Sequence, residues 1–434
     1  MTLLPDDRSE IGFDDFKKPY TPAQAAVEAN RCLFCHDAPC VKACPTAIDI
    51  PGFIRKIATD NLRGSARTIL DSNILGMSCA RVCPVEVLCV GDCVYNAMGV
   101  PPIQIGKLQR YATDAAYAKG WELFVAGADT GRSVGIVGGG PAGLACAHRL
   151  RRFGHRVTIY DRRPVLGGLN TTGVAPYKMK SDRALEEVDW VLAIGGITVR
   201  TGVAIPDDLS WDELLRAHDA LFLGFGLGPD TVLDLPGRDL RGIVGAVEWI
   251  ESMKTGRPPI DGVTTAVVLG GGNTAIDVVR ELRGLGVPVA ALAYRGVEPG
   301  MSGYVHEWAA AKHDSARAHW QVAPIGFEGV GGVVTGVRCV RTGADKRAIP
   351  GTEHTVAADL VVVAVGQSKL AGLVTGLGLA TDSGRIVTDG VGATSRAGVW
   401  AGGDARNGGR EVVNAVAEGR DAAIAIDQHL ARRT

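Results

Sequence analysis

The chain has 434 residues, with 46 Lys and Arg against 47 Asp and Glu and a formal net charge of -1. A pI of about 6.8 leaves no basic footprint for nucleic acid and no cationic face for an acidic membrane. No uncharged apolar run approaches the length that spans a bilayer. The length predicts about three domains. Residues Met1 to Tyr20 are polar and acidic-leaning, without the basic and apolar regions of a secretory signal, so the expected compartment is the cytoplasm.

Eight of the 10 cysteines precede residue 94, in the order Cys32, Cys35, Cys40, Cys44-Pro45, Cys79, Cys83-Pro84, Cys89 and Cys93. A cubane cluster needs four soft anionic donors, and closely spaced Cys on a short loop supply most of them at little entropic cost. The Cys before Pro in such a run commonly ligates the other cluster, so two [4Fe-4S] clusters with interleaved ligands are expected. Structural zinc and disulfides are the alternatives for paired Cys; the Cys-Pro signature disfavours the first, and the lack of a secretory segment disfavours the second. Simple division of eight Cys into two fours makes Cys79 a ligand. The apolar spacing of Pro51 to Leu70 and of Ile103 to Tyr117 predicts helices, and residues 117–131 read as a linker.

Beyond the linker the 58 glycines concentrate, and apolar strands alternate with amphipathic helices, which predicts parallel sheets. A buried strand from Ser133 runs into Gly138-x-Gly140-Pro141-Ala142-Gly143 and a helix to about Phe153; the next strand, from Val157, ends at Asp161. The first glycine makes the turn, the second admits a pyrophosphate, and the third lets helix and strand pack closely. The helix N-terminus offers unpaired N–H groups to the phosphates, and Asp161 is placed to accept hydrogen bonds from an adenosine ribose.

A second unit, Gly270-Gly271-Gly272-Asn273-Thr274-Ala275, repeats the pattern, and its second strand, Val289 to Tyr294, runs into Arg295 rather than an acid. An Arg there can pair with the 2′-phosphate of NADP(H), yet Gly296 and Glu298 follow and no second base adjoins in sequence, so NAD(H) is the expected nicotinamide and NADP(H) stays open. A third element, Val399-Trp400-Ala401-Gly402-Gly403-Asp404 followed by a helix from about Glu411 to Leu430, matches the closing motif of two-dinucleotide flavoproteins, with Asp404 on the ribityl chain. Two strand ends, Leu221 to Gly226 and Val361 to Gly366, read as crossings between the two nucleotide-binding domains. The single cysteines Cys146 and Cys339 read as core residues and exclude a C-x-x-C disulfide reductase.

The words CLFCHDAPCVKACP, SCARVCPVEVLCVGDC and IQIGKLQR, followed by the flavin, nicotinamide and Gly-Gly-Asp motifs, resemble the amino-terminal half of dihydropyrimidine dehydrogenase over essentially the whole chain. The glutamate synthase small subunit shares the architecture with different wording in its Cys region. The resemblance implies an α-helical double [4Fe-4S] domain (1–120), an FAD domain in two parts (130–231 and 367–434) and a nicotinamide domain (232–366) inserted in it. By resemblance one cluster sits on Cys32, Cys35, Cys40 and Cys93, and the other on Cys44, Cys83, Cys89 and Gln109, which competes with Cys79 for that place. The resemblance further assigns Gly168, Leu169, Lys178, Gly403 and Val412 to FAD, and Gly270, Gly271, Gly272, Asn273, Thr274, Arg295, Ala364, Val365 and Gly366 to the nicotinamide.

Nicotinamide gives two electrons together, a cluster takes one, and FAD converts between them, so the expected route runs from NAD(P)H through FAD and clusters to an external acceptor. No side chain is expected to act as a catalytic acid or base. The FMN barrel of the full-length enzyme has no counterpart before Thr434. The expected partner is therefore a separate FMN and iron–sulfur catalytic subunit that reduces uracil or thymine, in a hetero-oligomer.

Overall fold

The computed structural model describes residues 4–432. Helix α1 (Pro22–Asn30) opens with a capping box in which Thr21 and Gln24 exchange side-chain and backbone hydrogen bonds. The stretch expected as one helix over Pro51 to Leu70 is two, α2 (Ile50–Ala58) and α3 (Leu62–Ser72). Asp60 adopts φ 57 between them, and the Asn61 side chain caps the second by accepting from Gly64 N. Helices α4 (Gly76–Val82) and α5 (Ile105–Ala118) complete the domain. Phe53, Ile54, Ile69 and Leu108 close one core, which also takes in Cys79, Cys83 and Cys93.

The segment read as a linker is packed down. Leu123 is buried, and the Phe124 ring lies under the Arg67 and Arg152 guanidinium groups, 5.5 and 4.3 Å from its centre. An aromatic face between two cations fixes the first domain against the second.

The second domain runs β1 (Ser133–Val137), α6 (Pro141–Phe153), β2 (Arg156–Asp161), α7 (Ser181–Leu192), β3 (Ile197–Thr201) and β4 (Ala220–Leu223). The chain then builds another sheet from β5 (Ile243–Gly245), α8 (Ala246–Thr255), β6 (Thr265–Leu269), α9 (Asn273–Gly284), β7 (Val289–Tyr294), α10 (Val305–His313) and β8 (Arg317–Trp320). An antiparallel sheet of β9 (Val322–Val330), β10 (Val333–Arg341) and β11 (His354–Ala357) follows, then β12 (Leu360–Val363), and the chain returns to the first sheet as β13 (Val399–Ala401), ending in α11 (Val412–Ala431).

The first sheet has the order β13-β4-β1-β2-β3 and the second β5-β12-β6-β7-β8, all pairs parallel. Near-continuous apolar strands such as Leu360–Val363 suit sheets covered on both faces. The fold is thus α/β: an α-helical double-cluster domain, then two Rossmann-like domains with the nicotinamide domain inserted in the FAD domain. Cys146 and Cys339 are fully buried in the apolar clusters of their sheets.

Two glycines set how closely layers approach. A Cβ on Gly143 would lie 1.9 Å from Gly138 O, and one on Gly419 would lie 2.1 Å from Ala142 O. The first lets α6 rest on the turn after β1, and the second lets α11 cross α6 at its N-terminus.

An N-terminal strap ties the nucleotide domains together. Glu10, fully buried, pairs with Arg8 and with Lys254 of α8, and accepts from Ser181 N. Phe16 N donates to Tyr177 O.

Candidate functional site

The C-terminal ends of the first sheet open into a cavity of about 810 Å³. This is where open parallel sheets bind ligands. Gly138, Gly140, Pro141, Ala142, Asp161, Gly168, Leu169, Lys178, Gly403, Asp404 and Val412 all line it. Gly143, expected at the same site, stands behind the wall as the packing glycine. The turn that begins the site needs Gly138, whose φ is 101.

The donor set fits a dinucleotide flavin. A Cβ on Gly140 would meet only Gly168 Cα, at 3.8 Å, so the first turn of α6 is open to a pyrophosphate. Asp161 accepts from Gly139 N at 2.7 Å and from Arg163 N at 2.8 Å, which aims its carboxylate along the cavity edge. Asp404 has no cation partner among the described residues; burial pushes its pKa up to about 6. Such a carboxylate calls for hydroxyl donors, as a ribityl chain would supply.

Of the nine residues expected at the nicotinamide, Asn273 alone lines this cavity. Gly270, Gly271, Gly272, Thr274, Ala364, Val365 and Gly366 gather instead at the open C-terminal edge of the second sheet. A Cβ on Gly272 would meet only Ser302 Oγ, at 3.7 Å, and one on Gly366 would meet nothing within 4 Å. Asn273 Oδ1 accepts from Tyr304 N at 2.8 Å. Register corrects one reading: Leu269 pairs with Ala293 as Val137 pairs with Tyr160, so the counterpart of Asp161 is Tyr294, and Arg295 lies one residue beyond.

Sequence reasoning named Lys178 for FAD but missed the partners that hold it where the two nucleotide sites meet. Lys178 Nζ lies 2.8 Å from Asp277 and 3.0 Å from Glu307, and the Tyr177 hydroxyl donates to Asp277 at 2.5 Å. Burial alone would lower the Lys178 pKa, but Asp277 and Glu307 together raise it above the ordinary lysine value. The Tyr304 hydroxyl donates to Glu411 at 2.8 Å across the same wall. Only the helical spacing of Asp277 and Arg280 on α9 hinted at a polar face there.

The cysteines form two groups. Cys32, Cys35, Cys40 and Cys93 line one small cavity of about 30 Å³ beside Ile50, Ile54 and Tyr95. Burial, then Cys32 and Cys93, push the Cys40 thiol up to about 12. Burial, then Cys83 and Cys44, raise the Cys89 thiol well above its ordinary value. Buried, mutually repelling thiols fit iron as the charge that would hold them as thiolates. Cys79, 2 % exposed, lies in hydrogen-bond contact with Cys83. Gln109 is buried on α5; its Nε2 donates to Gly76 O at 2.8 Å, which leaves Oε1, an acceptor whose lone pairs could ligate iron, unassigned. Lys17, also missed, donates from Nζ to Cys83 O at 2.6 Å.

Comparison with known proteins agrees with this layout. The family described as dihydropyrimidine dehydrogenase domain II, 4Fe-4S cluster, matches residues 9–121, and pyridine nucleotide-disulphide oxidoreductase matches residues 132–419. The glutamate synthase [NADPH] small chain of Escherichia coli (strain K12) is 33% identical over 445 residues, covering 96% of this chain and 94% of the relative. The NAD-dependent dihydropyrimidine dehydrogenase subunit PreT of Escherichia coli O157:H7 is 32% identical over 417 residues, covering 96% and 97%. Mycobacterium tuberculosis FprA in complex with NADPH superposes with TM-score 0.57 at 20% identity, over 69% of this chain and 85% of that one, which shows the shared fold. The chain belongs to the pyridine nucleotide-disulphide oxidoreductase family, as an NAD(P)H-dependent FAD and [4Fe-4S] electron-transfer oxidoreductase of the PreT and glutamate synthase small-chain type.

Proposed function

We propose that this chain is the electron-input subunit of a dihydropyrimidine dehydrogenase: it oxidises NAD(P)H and passes electrons to a separate FMN and iron–sulfur subunit, PreA-like, that reduces uracil or thymine. The observation that carries electron input is the wall of the 810 Å³ cavity, which includes Val82 and Pro84 on either side of Cys83. FAD held in this cavity would supply the conversion between two-electron hydride from reduced nicotinamide and single electrons for the clusters. The eleven cavity-lining residues named above hold FAD, with Gly143 behind them. Asn273 and the loop ends at Gly270–Thr274, Arg295 and Ala364–Gly366 hold the nicotinamide dinucleotide.

In this reading Cys44, Cys83, Cys89 and Gln109 hold the cluster nearer the flavin, and Cys32, Cys35, Cys40 and Cys93 the farther one. Lys17 and the Lys178–Asp277–Glu307 group fix the junction between them. The three units correspond to residues 1–120, to 130–231 with 367–434, and to 232–366. Among the described residues no helix is long and apolar enough to cross a membrane. We place the protein in the cytoplasm, where thiols stay reduced for cluster loading.

The choice of pyrimidine rests on the Cys-domain wording and on the description of the family matching residues 9–121. A glutamate synthase small chain is the second reading, favoured by the 33% identity to that relative. Reconstitution separates them. The isolated chain should reduce an artificial dye with NAD(P)H but leave uracil untouched, and an added FMN subunit should confer uracil reduction. Glutamate formation with a large glutamate synthase subunit, and none of the former, would establish the second reading.

A further inference from the structure

We propose that Lys346, which reaches over Tyr294 from the hairpin joining β10 to β11, combines with Arg295 as a subsite for the 2′-phosphate of NADPH. This deepens the assignment of the second Gly-rich loop to a nicotinamide dinucleotide and rests on it.

Tyr294 takes the position that Asp161 holds in the flavin domain, so no carboxylate is there to grip a ribose diol. Its ring packs on the loop: a Cβ on Gly271 would lie 2.5 Å from Tyr294 Cδ2. The hydroxyl donates to Gly300 O at 2.8 Å. Lys346 Nζ lies 3.2 Å from that hydroxyl and 5.5 Å from the ring centre. A base far away in the sequence therefore reaches the end of β7.

The approach is built. Thr342 Oγ1, at the base of the hairpin, donates to Arg295 O at 2.7 Å, and Gln321, which accepts from Thr342 N at 2.9 Å, donates from its own N to Gly296 O at 3.0 Å, fastening the hairpin to the strand end. Lys346 itself adopts φ 64. A Cβ on Gly296 would lie 2.7 Å from the Tyr294 ring and 3.1 Å from Lys346 Cε. The missing side chain at 296, which in sequence looked like the absence of a second base, is what gives Lys346 its path.

The charges point the same way. Among the described residues neither the Arg295 guanidinium nor the Lys346 ammonium has a carboxylate partner. Glu298, expected to repel a phosphate, is engaged by Lys312 at 2.7 Å. Two cations without a carboxylate partner, Arg295 following Tyr294 in sequence and Lys346 over the Tyr294 ring, suit a dianion at the end of β7, with Arg supplying a fork and Lys a point charge. The proposal thus favours NADPH, which the sequence left open beside NAD(H).

The test uses the full chain with its flavin and clusters, probed by calorimetry with adenosine 2′,5′-bisphosphate and with 5′-AMP, and by dye reduction with NADPH and NADH. The wild type should bind the bisphosphate at least about tenfold more tightly. Lys346→Met should remove most of that margin while shifting 5′-AMP binding and kcat/KM for NADH less than about twofold, and Lys346→Arg should restore it. Equal loss for both probes would make Lys346 a packing residue, and equal wild-type affinity would remove the subsite; either overturns the proposal. Binding of neither probe would overturn the nicotinamide assignment on which it stands.

Discussion

Glu187 on α7 is 1 % exposed and caps helix α4, which carries Cys79, from the neighbouring domain. It accepts from Met77 N at 2.9 Å, from Ser78 N at 3.2 Å, from the Ser78 hydroxyl, and from the Tyr117 hydroxyl at 3.3 Å. Burial outweighs these bonds and pushes its pKa from 4.5 up to about 7. Because the folded value is the higher one, the protonated form stabilises the fold. That contribution is complete below pH 4.5 and is lost as pH rises through 7. The full shift corresponds to about 3 kcal/mol, of which about 2 kcal/mol falls between pH 5.5 and 8. Glu187→Gln keeps the neutral shape and removes the titration. Hydrogen exchange at the Met77 and Ser78 amides reads the local opening without requiring the whole chain to unfold in one step. After correction for intrinsic rates, protection in the wild type should fall about 30-fold between pH 5.5 and 8 and stay nearly flat in the variant. Equal slopes in the two proteins would refute the argument.

Three further outcomes follow from named contacts. Gly419→Ala forces its methyl against Ala142 O, a 2.1 Å approach, so α11 must lift from α6 at a cost of about 1–3 kcal/mol; flavin content after gel filtration should drop. Lys178→Met leaves Asp277 and Glu307 buried without their ammonium and should cost about 3–5 kcal/mol in thermal unfolding at pH 8. Asp277→Asn in the same chain should recover part of that loss. Gln109→Cys would place a thiolate where a neutral amide stands and should lower the potential of that cluster in an EPR-monitored titration, whereas Cys79→Ser should leave both cluster signals in place. Loss of a cluster in Cys79→Ser would reverse the two roles.

What was legible in the sequence is what a short window encodes. Gly138 to Gly143, Gly403-Asp404 and the Cys runs each act through neighbours within a few residues, so spacing alone told their part. The bounds of β7 were read correctly at Val289 and Tyr294 because apolar strands end where turn residues begin. The break at Asp60 escaped because Ile50–Ala58 and Leu62–Ser72 each carry helical apolar spacing, and Asp can take up the left-handed conformation that glycine would have announced. Lys17, Glu187 and Lys346 escaped for a different reason. Their partners Cys83, Ser78 and Tyr294 lie 66, 109 and 52 residues away, and no local period reports such a meeting. The same holds at the end of β7: Arg295 is followed in sequence by Gly296, while Lys346 reaches Tyr294 from the β10–β11 hairpin.

These long-range meetings bear on how the parts stay in register. The nicotinamide domain is fastened to the flavin domain by the Lys178–Asp277–Glu307 group, by Tyr304 to Glu411, and by Glu10 of the strap to Lys254. It also reaches the cluster domain, where His306 lies 3.4 Å from Glu86. Swinging this domain away would expose Lys254 and Glu10, both fully buried, and would part Lys178 from its two carboxylates. Separating a buried pair costs several kcal/mol unless water replaces the lost partner at once. Lys17 adds a tie from the strap to Cys83 O, on the far side of the same cavity. The arrangement therefore favours transfer within one fixed junction over a cycle of large domain rotation. Residues from all three domains, Pro84, Glu307 and Glu411 among them, already stand on a single wall.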